Sequence, residues 1–189
     1  MSSQRQVHYP YAEYLRLEGE SPIRHEYLDG EIYAMGGGTP DHAALAAAVI
    51  RILGVGIPAS CRVFTSDLRV RTSTGLTTYP DAAIVCGKTL RANDDAIAVT
   101  NPCLLVEVTS PSTEDYDRGE KLRHYKSIST VREILVVSHR ESDMTLHRRE
   151  NDGNWSVTEA MAGAAVELAS VGVHLAVGDV YRGGLEDVG

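Results

Sequence analysis

The chain of 189 residues has no long hydrophobic run, which argues against a membrane-spanning segment. Its longest uncharged apolar stretch, Ala43–Ile50, is far shorter than the roughly 20 residues that a transmembrane helix needs. The first residues also lack the apolar core of a secretory signal, so we expect a cytoplasmic protein without a membrane partner. Because the apolar and charged fractions, 43% and 23%, are ordinary for globular proteins, we expect one domain spanning residues 1–189.

Cysteine is scarce and lacks the spacing of a metal site. Cys61, Cys86 and Cys103 form no Cys-x-x-Cys pair and have no histidine at zinc-site spacing. An odd number of cysteines in a chain without an export signal predicts reduced, mostly buried thiols. The sequence also lacks a Gly-x-Ser-x-Gly elbow, and no histidine adjoins a cysteine, so nucleophilic hydrolase chemistry has no support.

Positive charge is in deficit. With 18 basic and 26 acidic residues, the chain carries a formal net charge of −8, which disfavours a protein that coats DNA by bulk electrostatics. An acidic site that gathers a divalent cation is compatible with this balance. The most basic local stretch is residues 112–128, which is either a solvated helix face or a surface that meets a phosphate backbone.

Hydrophobic periodicity and turn residues predict an α/β fold, with a sheet between helices and hairpins at its margins. The dipeptide Asp29-Gly30 favours a hairpin turn. Thr39 and Pro40 predict the start of a helix that runs to about Gly54; it is apolar on nearly all sides, so we expect it to be buried. The other predicted elements are helices over 11–18, 112–128 and 177–181 and strands over 24–28, 31–35, 62–71, 79–85, 102–109, 132–138, 144–149 and 155–160.

Two carboxylates lie inside otherwise apolar strands. Asp81 opens Asp-Ala-Ala-Ile-Val, and Glu107 lies within Leu-Leu-Val-Glu-Val. A carboxylate in a buried strand is costly unless it is paired, metal-bound or neutral. One reading is that each pairs with a buried arginine or caps a backbone group. On neighbouring strands and facing one side, however, the two would form an acidic pocket suited to Mg²⁺ or Mn²⁺, which prefer oxygen ligands.

The segment after Glu107 directs further charged groups towards this pocket. Thr109–Thr113 predicts a tight turn leading into a helix, on which Asp117, Lys121 and Tyr125 share one face at four-residue spacing. A lysine there could orient or help to deprotonate a water and offset phosphate charge. Alternatively, Asp117 and Lys121 form only an exposed helix ion pair, worth at most about 0.5 kcal/mol.

Two glycine-associated positions also stand out. His42 follows Gly36-Gly37-Gly38 in the first turn of its helix and either touches phosphate or the metal site or is a satisfied polar group near a loop. No Gly-Lys-Ser or Gly-Lys-Thr follows these glycines, which excludes a P-loop. Gly119 costs its predicted helix about 1 kcal/mol relative to alanine, which we interpret as the close approach of another chain segment.

These residues resemble the motifs of a known family. Tyr27–Met35 followed by His42 looks like the opening of the Uma family of proposed restriction endonucleases, long catalogued as a domain of unknown function. The likeness covers roughly residues 11–149. The positions that resemble the core of the same family are Tyr79-Pro80-Asp81, Leu105–Thr113, Asp117, Lys121 and Tyr125.

The Uma family is similar in turn to the PD-(D/E)XK nucleases. This resemblance implies a restriction-endonuclease-like α/β fold, in which helices flank a mixed central sheet, here with N- and C-terminal hairpins. Asp81 resembles the aspartate of the PD motif, and Glu107 resembles the acidic residue of the second strand. The expected cofactor is Mg²⁺ or Mn²⁺, with the backbone carbonyl of Val108 as its third protein ligand.

The sequence departs from this superfamily at one position. The usual lysine, two residues after the glutamate, is absent because Thr109 stands there, and Lys121 on the next helix is the candidate in its place. Glu31 is a weaker candidate for an extra ligand, either directly or through water. The accessory candidates are Glu31, His42, Asp117 and Tyr125.

The resemblance implies a metal-dependent endonuclease that hydrolyses phosphodiester bonds, with DNA as the expected nucleic acid partner. In that reaction the metal activates water, and Lys121 helps to position the nucleophile. The alternative is a nuclease-fold module that has lost catalysis and serves in binding or assembly. Intact Asp81, Glu107 and Lys121 favour the endonuclease, whereas the negative net charge and the lack of a recognisable DNA-reading domain keep the alternative open. A homodimer would supply two sites for two strand cuts, although no residue pattern identifies an interface.

Overall fold

The structure, a computed structural model, describes residues 7–185, which form five helices and twelve strands. No helix in this range is long and apolar enough to cross a membrane. The helices are α1 (Tyr11–Glu20), α2 (Pro40–Gly56), α3 (Glu114–Arg118), α4 (Glu120–Lys126) and α5 (Val177–Gly184). The strands are β1 (His25–Leu28), β2 (Glu31–Ala34), β3 (Cys61–Thr65), β4 (Val70–Arg71), β5 (Thr77–Thr78), β6 (Ala82–Cys86), β7 (Leu104–Val108), β8 (Glu133–Val137), β9 (Asp143–Arg149), β10 (Trp155–Met161), β11 (Ala165–Leu168) and β12 (Val173–Ala176).

The centre of the fold is a six-stranded sheet in the order β10-β9-β8-β7-β6-β3. β7 and β8 run parallel and are joined by a crossover through α3 and α4, whereas the other neighbours pair antiparallel. The predicted mixed α/β fold is therefore confirmed. β6 and β7 are neighbours and almost wholly buried, as their continuous apolar runs predict.

The two faces of this sheet pack against different layers because successive side chains of a strand point to opposite sides. On one face, Leu104 and Leu135 lie in a large apolar core beneath α2 and α5. On the other face, Leu105 and Ile134 lie in a smaller cluster beneath α4, with Leu122 from that helix. Glu107 shares the second face with Leu105, so the chain places this carboxylate under α4.

A second, four-stranded sheet in the order β2-β1-β5-β4 brings the N-terminal hairpin to the same region. Asp29 and Gly30 have positive φ values of 48° and 87°, which fits the predicted hairpin turn. The turn pairs Leu28 with Glu31 and Glu26 with Tyr33. This register fixes which side chains of β1 face the rest of the protein.

Three predictions about the helices and strands are wrong in part. α2 buries only one face, because Leu45 and Leu53 are buried while Val55 is exposed. The predicted strand 62–71 is two short strands, β3 and β4. The predicted helix 112–128 is broken at Gly119 into α3 and α4. The backbone at this break leaves no room for a side chain, because a Cβ at Gly119 would lie 2.8 Å from the backbone oxygen of Asp115. Gly119 therefore serves a helix break rather than the approach of a distant segment.

The prediction of reduced thiols is wrong for two of the three cysteines. Cys61 and Cys86 lie directly opposite each other on β3 and β6 and form a disulfide. Cys103 is free and half-buried, and its Sγ lies 3.5 Å from that of Cys86. Sequence reasoning missed this bond because it depends on the pairing of two strands that are distant along the chain.

Candidate active site

The two strand carboxylates lie on adjacent strands. β6 and β7 pair antiparallel with Ala82 opposite Val106, so continuing the register by one residue places Asp81 opposite Glu107. Directly opposed residues of a sheet project to the same face. The negative charge of Asp81 also raises the pKa of Glu107. The chain thus brings together the acidic pair on which the sequence prediction depends.

Asp81 is held in place by the strand beside it and by helix α2. The backbone N–H of Val108 donates a hydrogen bond of 2.7 Å to Asp81 Oδ2. The Nε2 atom of His42 lies 3.3 Å from the same oxygen. Two residues earlier, the Tyr79 hydroxyl donates to Glu18 at 2.7 Å and anchors the chain that enters the site.

Lys121 is the centre of a buried group of carboxylates. Its Nζ lies 3.1 Å from Glu107 Oε1 and 3.1 Å from Glu26 Oε1. A third carboxylate oxygen, Asp117 Oδ1, lies 3.4 Å away. All four side chains are buried. The alternative of an exposed helix ion pair between Asp117 and Lys121 is therefore wrong, and the face shared by residues four apart looks back at the strand as expected.

Hydroxyl groups complete the contacts of these carboxylates. The Tyr125 hydroxyl donates to Glu107, which gives that carboxylate one neutral and one charged donor. The Thr78 hydroxyl donates to Glu26 at 2.5 Å. The ring of Tyr116 lies 5.9 Å from Lys121 Nζ, close enough for a weak cation–π contact.

Burial and mutual charge shift the pKa values of the cluster. Burial raises the pKa of Glu107 well above its usual value; the charge of Lys121 opposes this rise, and those of Asp81 and Asp117 add to it. Burial alone would lower the pKa of Lys121, but Glu107 and Glu26 outweigh it and raise that pKa. Burial also raises the pKa of Asp117. The site therefore holds a protonated lysine among carboxylates whose ionised forms call for further positive charge.

His42 joins this site rather than serving only as a polar group near a loop. Its hydrogen bond to Asp81 raises the pKa of the imidazole; burial opposes this, and a hydrogen bond to the Val108 carbonyl adds to it. Thr39 caps α2 by accepting a hydrogen bond of 3.2 Å from the His42 backbone N–H. A Cβ at Gly38 would lie 2.7 Å from His42 Nδ1, so the glycine leaves room for the ring.

Glu31 lies on the same face of its hairpin as Glu26, two paired positions nearer the turn. Its carboxylate accepts a hydrogen bond from the Tyr33 hydroxyl. Within residues 7–185 it makes no hydrogen bond or ion pair with Lys121 or with either strand carboxylate. Its role as an extra ligand stays a prediction.

The donors at this edge of the sheet fit a hard divalent cation. Asp81, Glu107 and the Val108 carbonyl offer oxygen ligands, and the wider cluster sets the carboxylates of Glu26, Asp81, Glu107 and Asp117 against one lysine and one histidine. In the described part of the chain, no three side chains of His, Cys, Asp or Glu are grouped closely enough to enclose a metal by themselves. A backbone carbonyl and waters would have to complete the shell, as is usual for Mg²⁺.

Sequence reasoning missed Glu26. It lies in the short strand His-Glu-Tyr-Leu, where polar and apolar residues mix and a buried carboxylate does not stand out. One signal was available, since the Asp29-Gly30 turn fixes the hairpin register and thereby places Glu26 and Glu31 on one face. What the sequence lacked was the packing of that face against Lys121.

Comparisons with known proteins identify a family and two relatives. A profile of the Uma2 family, described as "Putative restriction endonuclease", matches residues 11–178. The uncharacterized protein slr1290 of Synechocystis sp. is 37% identical over 173 residues, which are 90% of each chain. A second Synechocystis protein, the uncharacterized sll1609, is 28% identical over 152 residues, covering 79% of this chain and 86% of its own.

A solved structure shares the fold. The crystal structure of "a putative nuclease belonging to DUF820" from Anabaena variabilis superposes with a TM-score of 0.75. The match covers 92% of the present chain and 98% of the other, at 19% sequence identity. At this identity the comparison establishes the architecture, with a central mixed sheet flanked by helices.

Proposed function

Because the chain belongs to the Uma2 family, we propose that it is a metal-dependent endonuclease that hydrolyses the phosphodiester bonds of DNA. The observation that carries the proposal is the pairing of Asp81 with Glu107 across β6 and β7, with Lys121 reaching over from α4. Apolar side chains of similar size would stabilise the fold at least as well as two carboxylates and an amine in one buried cluster. A structural role alone therefore does not account for these charged groups.

Each residue has a task that follows from its contacts. Asp81 and Glu107 would supply carboxylate oxygens to Mg²⁺ or Mn²⁺, and the Val108 carbonyl would supply a third ligand. Lys121 keeps Glu107 oriented and places a positive charge where a phosphate oxygen gains negative charge. Tyr125 restricts Glu107 further through its hydroxyl. When bound, the divalent ion supplies an activated water at neutral pH and neutralises charge on the phosphoryl group.

Glu26 and Asp117 act through Lys121 rather than on substrate. Both hold the ammonium group at distances of 3.1 and 3.4 Å, so they keep it protonated and fix its position. His42 holds Asp81 from the opposite side. These residues are positioning residues in the proposed reaction.

The test compares isosteric variants of the two strand carboxylates. Purified protein with Mg²⁺ or Mn²⁺ is incubated with supercoiled plasmid, single-stranded DNA and RNA. Asp81→Asn and Glu107→Gln should each lower cleavage by at least about 10²-fold, since they remove charge at the reacting centre while keeping a polar group of the same shape. Glu141→Gln, which neutralises an exposed carboxylate, is the control and should cleave like the wild type.

A binding measurement separates lost catalysis from a lost metal. Mn²⁺ should raise the melting temperature of the wild type and of Glu141→Gln, but not that of Asp81→Asn. Mn²⁺ binding without cleavage of any nucleic acid would overturn the endonuclease proposal and support a nuclease-fold binding module. Cleavage that survives both carboxylate substitutions would place the reaction elsewhere in the protein.

A further inference from the structure

A strip of the central sheet continues beyond helix α4. β9 and β10 pair with His147 opposite Val157 and Arg149 opposite Trp155, so these four side chains project to the α4 face of the sheet. Val157 is 56% exposed, which shows that the helix layer ends before this strip. We call the surface formed here by the basic and aromatic side chains the basic shelf; it consists of Arg118, Lys126, His147, Arg149 and Trp155.

The side chains of the basic shelf support one another. Lys126 Nζ lies 5.3 Å from the centre of the Trp155 ring, and the Arg149 guanidinium carbon lies 4.9 Å from it. Arg149 Nη2 also donates to the carbonyls of Lys126 and Ile128, at 2.6 and 3.0 Å, at the end of α4. Arg118 Nη1 donates to the Thr145 hydroxyl at 3.1 Å. Hydrogen bonds thus hold the guanidinium groups of Arg118 and Arg149 in place, and Lys126 packs beside the Trp155 ring.

Two cations of the basic shelf, Lys126 and Arg149, form no ion pair within the described residues. Arg118 pairs with Glu114 at 3.4 Å. Two further acids, Asp143 and Glu159, lie on this face of the sheet and form no ion pair in the same range. Along their strands they are four or more residues from Arg149 and Trp155, so the positive charge at that end of the basic shelf has no acid paired with it.

Two polar atoms of the basic shelf are buried without a hydrogen-bond partner among residues 7–185, namely His147 Nδ1 and Arg149 Nε. Buried donors are normally satisfied, and unsatisfied ones call for an explanation. Burial, together with the charges of Lys126 and Arg118, lowers the pKa of His147 to about 4. The imidazole is therefore neutral at neutral pH in a field that an anion would balance.

We propose that the basic shelf binds a phosphodiester group of the nucleic acid, apart from the site of cleavage. The proposal rests on the proposed function for the identity of the ligand. Phosphate oxygens accept hydrogen bonds from arginine and lysine, and no acid of the described residues forms an ion pair with Lys126.

Helix α4 links the basic shelf to the candidate active site, which favours nucleic acid over an acidic protein as the ligand. Lys121 lies on one side of this helix and Lys126 at its end, and the seven residues of α4 span about 10 Å. A nucleic acid strand rises about 3.4 Å per nucleotide. One strand that crosses α4 therefore reaches both places within a few nucleotides.

The experiment uses the single tryptophan of the protein, Trp155, as its reporter. A short DNA duplex is titrated in EDTA, so that binding is measured without cleavage, and Trp155 fluorescence is followed together with duplex anisotropy at several salt concentrations. Wild-type fluorescence should change at the concentration at which the duplex binds. Lys126→Gln and Arg118→Gln should each weaken binding and lower the slope of log affinity against log salt by about one.

Arg51→Gln is the matched control. It removes one positive charge from an exposed position on α2, which packs on the opposite face of the sheet. It should leave the affinity and the salt slope unchanged. Because Arg118 also contacts Thr145, melting curves of all three variants are compared; Lys126→Gln, whose ammonium makes no hydrogen bond within the described residues, keeps the test valid if Arg118→Gln is destabilised.

The outcomes distinguish this proposal from the endonuclease proposal. Asp81→Asn should bind the duplex with the wild-type salt slope. A wild type that binds the duplex in EDTA but cleaves no nucleic acid with Mg²⁺ would count against the endonuclease proposal alone. Equal weakening by all three charge variants would mean nonspecific attraction and would overturn the basic shelf. Absence of duplex binding in EDTA, or a Trp155 response to polyglutamate as strong as that to DNA, would overturn it as well.

Discussion

The two faces of the central sheet use the same strands for opposite purposes. The face under α2 and α5 carries an uninterrupted apolar core that includes Leu104 and Leu135. The face under α4 has a smaller apolar cluster and gives its remaining space to Glu107 and Lys121 and, further along, to His147. One sheet can carry an apolar core on one face and charged groups on the other, because successive side chains of a strand point to opposite faces.

The difference shows where the protein accepts an energetic cost. Burying charged groups costs several kcal/mol per ion before pairing, which a purely structural face would avoid. On the α4 side, the cost is offset by contacts among Glu26, Glu107, Asp117 and Lys121 that require each member. We therefore expect substitutions on the apolar face to change stability alone, and substitutions on the α4 face to change stability in ways that depend on cations.

The largest effect should come from Lys121→Met. Removing the ammonium leaves three carboxylates in contact without their shared cation, so the free energy of unfolding in EDTA should fall by about 3–5 kcal/mol. Mg²⁺ should restore more stability to this variant than to the wild type. Urea denaturation with and without Mg²⁺ measures both; Lys88→Met, at an exposed lysine, is the control. Equal losses in EDTA and in Mg²⁺ would contradict a cation-dependent face.

Leu135→Ala tests the apolar face. The side chain is fully buried in the core under α2, so the free energy of unfolding should fall by about 2–5 kcal/mol whether or not Mg²⁺ is present. Cleavage per folded molecule should stay at the wild-type level below the melting temperature. A Mg²⁺-dependent loss here would show that the two faces are not separable in the way we describe.

A pair of glycine substitutions sharpens the comparison at the helix break. Gly119→Ala should lower the free energy of unfolding by about 1–3 kcal/mol, because its Cβ would meet the Asp115 carbonyl oxygen at 2.8 Å. Gly54→Ala, in an α2 position with no atom within 4 Å of the added Cβ, should instead raise it by about 0.5–1 kcal/mol. The melting temperatures of both variants are compared with that of the wild type. If Gly54→Ala also lowers the melting temperature, the loss in Gly119→Ala cannot be assigned to the contact with Asp115.

The smallest effect concerns pH. The pKa of His147 is lowered to about 4 in the folded protein. Between pH 6.5 and 4 this histidine therefore binds a proton in the unfolded chain but stays neutral in the folded protein. The contribution to stability is therefore fully present above pH 6.5 and is lost as the pH falls towards 4. His147→Asn should flatten this part of the stability profile. Identical slopes for wild type and His147→Asn would contradict the shift.

Sequence reasoning predicted those contacts of the candidate site that are formed by residues close together along the chain. Lys121 and Asp117 could be placed together because residues four apart share a helix face, and the break at Gly119 preserves that relation. Asp81 and Glu107 could be paired because two buried runs so close in sequence make neighbouring strands.

The parts that sequence reasoning missed depend on contacts between distant segments. Glu26 reaches Lys121 only because the N-terminal hairpin packs against α4, some 95 residues further on (121 − 26). The burial of His147 and the exposed side of α2 likewise depend on how layers overlap, which periodicity alone does not specify. The family resemblance supplied the expected metal ligands but gave no reason to single out Glu26.

The disulfide between Cys61 and Cys86 has a practical consequence for handling the protein. β3 is an outer strand of the central sheet, and its unpaired edge can template association with another chain. Reducing agent in a buffer would remove the covalent link and leave this strand attached by hydrogen bonds to β6 and by the packing of Val63 against the core. Samples prepared with and without a reductant are therefore chemically different materials, and their shelf lives should be recorded separately.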